Sequence, residues 1–81
     1  MPQLKYIITD QGDFAIFSPL TKHSDIGPRL CGTPISAGFI SYNQNNPEEQ
    51  AFKCYGESIS LNLQSRPEDT EFINKAMDKQ Y

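Results

Sequence analysis

Arg66 carries the most pointed chemistry in this chain. It is one of two arginines, it follows Ser65, and it stands where the sequence begins a helix. The positive end of the helix dipole favours acids at that place. A guanidinium beside free backbone N–H groups and the Ser65 hydroxyl therefore has the parts of a small phosphate- or carboxylate-binding corner. The competing assignment for Arg66 is an ion pair with Asp69, Glu68 or a neighbouring subunit. Just upstream, Ser58 and Ser60 lie on the polar side of an expected strand and offer hydroxyls, and Tyr55 beside Gly56 offers a ring on which a base could stack. Lys22, His23 and Arg29 form a second, basic stretch that could close over a ligand from a neighbouring copy of the chain.

Catalytic chemistry finds less support. His23 is the single histidine, and Asp25 two positions on could orient it as a base. Ser24 and Asp25 are better explained as a helix start, which leaves His23 a solvated loop residue. Cys31, Cys54, Ser58 and Ser60 are nucleophiles by type, but no Gly-x-Ser-x-Gly elbow or comparable flank accompanies them. The five glycines are too dispersed for a phosphate-binding loop or a dinucleotide fingerprint. Cys31 and Cys54 are 23 positions apart with no second cysteine or histidine at ligand spacing, so no metal site is expected and both are assigned as reduced, buried thiols. The expectation is no catalytic residue and no cofactor.

The chain has 81 residues, 10 Asp and Glu against 7 Lys and Arg, and a net charge of −3. Duplex nucleic acid requires a concentrated basic surface, so it is excluded as a partner. No apolar stretch approaches the roughly 20 residues of a membrane span, and the N-terminus has no signal-peptide pattern, so a cytoplasmic protein is expected. Leu, Ile and Phe supply 18 of the 81 residues, enough for a folded but thin core. A thin core without disulfide or metal predicts self-association, most simply a dimer.

The elements that must position these residues follow from periodicity. Residues 4–9 and 14–17 are β-rich runs around the turn-forming Asp10–Asp13, which is a hairpin. A short helix is expected from about Ile26 or Pro28 to Cys31, because Gly27-Pro28 interrupts anything longer. Ile35–Tyr42 reads as a strand, with Gly38 as a bulge. Residues 43–50 contain no apolar side chain and predict an exposed, mobile loop. Ala51–Tyr55 opens a fourth strand, long or broken, with Gly56 as the hinge before Ser58–Leu63, where Ile59, Leu61 and Leu63 are expected inward. Ser65 and Glu68 have capping-box spacing, and Phe72, Ile73, Ala76 and Met77 form the apolar stripe of the helix that follows. The sum is a single α+β domain over residues 1–81, a mainly antiparallel sheet of about four strands with the C-terminal helix on one face. The other face is expected to present some of Ile7, Phe17, Ile40, Tyr42 and Tyr55 to solvent or to a partner.

The strings Phe14–Ser18, Ser36–Phe39, Cys54–Leu61 and Ser65–Asp69 resemble small uncharacterised accessory proteins of phages and mobile elements. The resemblance brings no site residues with it. It implies a stand-alone accessory protein, with two roles open to an acidic non-enzyme of this size. One is sequestration of a small anionic ligand such as a nucleotide or cyclic nucleotide signal. The other is occlusion of a host protein, and a small hydrolase stands third.

Overall fold

The two β-rich runs at the start of the chain pair as expected, in a fold of the α+β class. In the computed structural model, which describes residues 3–42 and 52–78, strand β1 (Gln3–Thr9) runs antiparallel to β2 (Phe14–Phe17), with Tyr6 opposite Ile16. Strand β3 (Pro34–Tyr42) pairs with the other side of β1, and β4 (Phe52–Tyr55) with the outer side of β3. The result is one antiparallel four-stranded sheet in the order β2-β1-β3-β4. The expected loop 43–50 lies outside the described residues.

Alternation of side chains decides what each face carries. Leu4, Tyr6 and Ile8 share one face with Phe14, Ile16, Ile40, Phe52 and Cys54. Helix α2 (Asp69–Asp78) covers it, with Ile73 fully buried and Phe72 and Met77 packed beside the core. Each fully buried aliphatic side chain contributes about 1.5–3 kcal/mol. Helix α2 also closes the sheet edge. Asn74 accepts the Phe52 N–H at 3.1 Å and donates to the Phe52 carbonyl at 2.8 Å, while the Thr70 hydroxyl accepts the Cys54 N–H at 2.9 Å. Backbone groups that an edge strand would leave bare are thereby satisfied.

The opposite face departs from expectation. Ile7 and Ala37, which are paired across β1 and β3, are fully buried there, because helix α1 (His23–Ile26), which runs on into the 3-10 turn Gly27–Arg29, and the segment 57–64 lie against it. Ile40 is also buried, and alternation places it and Tyr42 on the α2 face, where the Tyr42 ring lies 4.8 Å from that of Phe52. Of the five apolar residues expected to be presented, Tyr55 is the one left largely open, at 42% exposure.

The short helix starts at His23 and gives way at Gly27, where Pro28 suits the first turn of a 3-10 segment, so it lies earlier than the expected Ile26–Cys31. Lys22, not Ser24, occupies the N-cap position, and no side chain caps it. Its placement is fixed from the β1–β2 turn: Asp13 accepts the Cys31 N–H and Asp10 the Thr33 N–H, both at 2.8 Å, while the Thr9 hydroxyl donates to the Cys31 carbonyl at 2.7 Å. Gly32 fits between them with φ +97°, and a Cβ there would stand 2.5 Å from the Asp10 carboxylate. Cys31 is consequently exposed rather than buried, and Cys54 is half-buried; both thiols are free.

Two further expectations are corrected. The irregularity in β1–β3 pairing falls between Ile8 and Thr9, not at Gly38. Gly38 instead permits a close approach, since a Cβ would stand 2.6 Å from the Tyr55 carbonyl. The run Ser58–Leu63 is not one strand. Gly56, at φ +78°, ends β4, and β5 (Glu57–Ser58) folds back on β6 (Leu63–Gln64) through a turn closed by Asn62 at φ 55°. Asn tolerates that left-handed backbone, and the Ser58 hydroxyl accepts the Leu61 N–H at 3.3 Å inside the turn. The expected alternation is therefore inverted at its start, where Ser58 is buried and Ile59 is 88% exposed, while Leu61 and Leu63 are half-buried between exposed Ser60, Asn62 and Gln64 as expected.

Candidate binding site

The basic and hydroxyl residues gather between the second sheet face, α1 and the β5–β6 hairpin. Lys5 projects from β1 on the same face as Phe17 and Phe39 and donates to the Thr21 carbonyl at 3.0 Å, leaving two of its three donors uncommitted. Lys22 stands exposed at the start of α1. Together with His23, Ser24, Phe39 and the hairpin residues Glu57, Ser58, Ile59 and Ser60 they line an open depression of about 580 Å³.

His23 is not the solvated loop residue expected. It is 3% exposed, its ring meets Phe17 edge-on at 5.4 Å and Phe39 at 6.2 Å, and Nε2 lies 2.8 Å from the Gly38 carbonyl. A carbonyl only accepts, so Nε2 carries the proton and donates. Burial lowers the pKa of His23 from its usual range; the Gly38 carbonyl opposes this and the Lys5 charge adds to it. Burial thus favours the neutral ring.

Arg66 goes elsewhere. Its Nε donates to Asp69 at 2.8 Å and lies 3.6 Å from Glu68, and its backbone N–H donates to the second Asp69 oxygen at 3.0 Å. The local ion pair is thus the observed state, and Asp69 takes over the reach-back contact expected of Glu68. Tyr6 donates its hydroxyl to the same Asp69 oxygen at 2.6 Å. Burial first, then the hydrogen bond to Asp69, push the Tyr6 phenol far above its usual pKa. Burial and the Asp69 charge raise the Cys54 thiol to about 11. Asp69 is completely buried, so this corner is a closed polar knot with its acceptors occupied.

Of the eight residues singled out by sequence, Lys22, His23, Ser58 and Ser60 come together at the depression. Arg66 borders a neighbouring hollow of about 420 Å³ that shares the Glu57–Ile59 wall. Ser65 lines neither hollow, and Tyr55 stacks on Phe39 with centroids 6.1 Å apart. Arg29 is exposed in the 3-10 turn and lines neither hollow. Lys5, Ser24, Phe39 and Glu57 were missed. Lys5 had a readable signal, as the only cation inside the apolar run of β1.

The chain matches no protein-family profile, and no curated protein or solved structure is significantly similar to it. Among the described residues, no helix is long and apolar enough to cross a membrane.

Proposed function

We propose that the chain is a non-enzymatic binding protein that holds a small anionic ligand, of nucleotide or cyclic nucleotide chemistry, in the depression beside α1, and that it acts by sequestration as a cytoplasmic, phage-type accessory protein. The observation that carries this reading is that Lys5, Lys22, Ser58, Ser60 and Phe39 line one depression of about 580 Å³, with Glu57 the one acid among its lining residues. That volume is of the size of a small-ligand site. Lysines supply charge, hydroxyls supply orientation and the aromatic edge supplies apolar contact. The anchor is therefore assigned to the two lysines rather than to Arg66, whose Nε is engaged by Asp69 and which lines the neighbouring hollow instead.

A binding role without turnover is supported by the state of His23, whose Nε2 proton is given to Gly38 rather than shared with a nucleophile. Titration calorimetry with nucleoside mono-, di- and cyclic phosphates tests the reading. Lys22→Gln is expected to weaken binding about tenfold, the loss of one charge-assisted hydrogen bond, without lowering the melting temperature. Failure of the wild-type chain to bind any of them overturns it.

Occlusion of a host protein, or self-association, is favoured by one separate observation: Leu20 is 94% and Ile59 88% exposed. An inert nucleotide panel together with a mass above 9.2 kDa in light scattering would move the assignment to that surface.

A further inference from the structure

Resting on the anion-binding reading above, we infer that Nδ1 of His23 accepts a hydrogen bond from a hydroxyl of the ligand, so that the site selects an anion bearing a ribose diol over its deoxy counterpart. The inference begins with tautomer and confinement. With the proton on Nε2 and committed to the Gly38 carbonyl at 2.8 Å, a neutral imidazole has Nδ1 as a bare acceptor. Nδ1 has no partner among the described residues, although His23 as a whole is 3% exposed. It is also not a sealed orphan: the described residues contain one buried side-chain polar atom without a partner, and that is the Ser36 hydroxyl. The opening available to His23 is the depression it lines with Lys5, Lys22 and Glu57.

Confinement makes the acceptor directional. Phe17 and Phe39 hold the ring edge-on from two sides, so reorienting Nδ1 would break both contacts and the Gly38 bond together. The depression then has two kinds of demand. Lys5 and Lys22 call for negative charge, while His23 Nδ1 and the Glu57 carboxylate accept hydrogen bonds and call for donors. A bare inorganic anion satisfies only the first. A sugar phosphate with free hydroxyls satisfies both, and a carboxylate is a familiar partner for ribose hydroxyls. Sites built to hydrogen-bond a hydroxyl reject the analogue lacking it, because the protein acceptor is then buried unpaired.

The test compares adenosine 5′-monophosphate, its 2′,3′-dideoxy form and inorganic phosphate by calorimetry on the wild-type chain and on His23→Gln. Gln keeps an N–H for Gly38 but has no acceptor at the Nδ1 position. Wild type is expected to prefer the ribose form about tenfold or more, and the ratio should collapse to about one in the variant. Equal affinity for the two nucleotides in wild type, or a preference that survives in folded His23→Gln, overturns this inference and leaves the anion-binding reading standing. If none of the three binds, both fall. Should the variant not fold, the wild-type ratio decides, together with the nitrogen-15 resonance of Nδ1. That resonance is assignable because the chain has one histidine. It should move upfield with the ribose nucleotide and not with the dideoxy form; an unmoved resonance counts against the inference.

Discussion

The two faces of the sheet treat polar groups in opposite ways. Under α2, the Tyr6 phenol, the Asp69 carboxylate and the Arg66 guanidinium are bound to one another, with Asp69 fully buried. On the α1 face, Lys5, Lys22 and His23 retain unused hydrogen-bonding capacity beside an open depression. A closed network stabilises and specifies the fold, because each partner removed strands another in low dielectric. Groups left with spare donors and acceptors cost little while solvent reaches them and are free to be completed by a ligand. The contrast separates the residues that hold the molecule together from those that can meet something else, and Arg66 is tied to the first through its Nε.

The sharpest way to break this contrast is Asp69→Ala. Removing one partner of a buried ion pair costs about 3–5 kcal/mol, and about 3 is expected here because Arg66, 32% exposed, can turn to solvent while Tyr6 is left unpaired. Urea denaturation monitored by circular dichroism measures it; a loss under 1 kcal/mol would mean that the knot is not structural. Tyr6→Phe should follow at about 1.5–3 kcal/mol, the range for a hydrogen bond to a charged group, in the same assay. Lys22→Gln, by contrast, should leave the urea midpoint in place, and a shift matching that of Asp69→Ala would erase the distinction between the faces. The smallest effect is in pH. His23 has a folded pKa below its unfolded value of about 6.5, so the unfolded chain binds more protons in the window between them. The His23 contribution is complete above pH 6.5 and declines as pH falls toward the folded pKa. Thermal melts from pH 7.5 down to 5 should therefore fall more steeply for wild type than for His23→Gln, and parallel profiles would show the ring is not held neutral by the fold.

Local pattern made part of this legible. The β1–β2 hairpin and the Phe72–Ile73–Ala76–Met77 stripe were readable because turn chemistry and helical period each lie within a few consecutive residues. The β5–β6 hairpin was not, since Ser58–Leu63 alternates as a strand would and its reversal depends on one left-handed Asn62 and a hydroxyl buried in the turn. The site followed the same rule. Ser58, Ser60, Lys22 and His23 were recognisable by type, but Lys5 lies 17 positions from Lys22 in sequence and meets it only through the docking of α1. Asp69 was legible only as a candidate partner for Arg66; its burial and its bond to Tyr6, 63 positions away, come from the docking of α2.

That bond between Tyr6 and Asp69 spans 63 positions, and it has a consequence for the order of assembly. While the chain is being made, β1, β2 and β3 can pair long before residues 69–78 exist, so Tyr6, Ile8 and Ile40 stay open on the nascent sheet. Docking of α2 must therefore come late, and it seals the core, caps the β4 edge through Thr70 and Asn74, and gives Tyr6 its acceptor in one event. Non-local closure of this kind slows folding and lengthens the interval in which an unsealed sheet can aggregate. Weakening the latch would thus lower the yield of soluble chain during synthesis by more than its effect on the finished protein's stability.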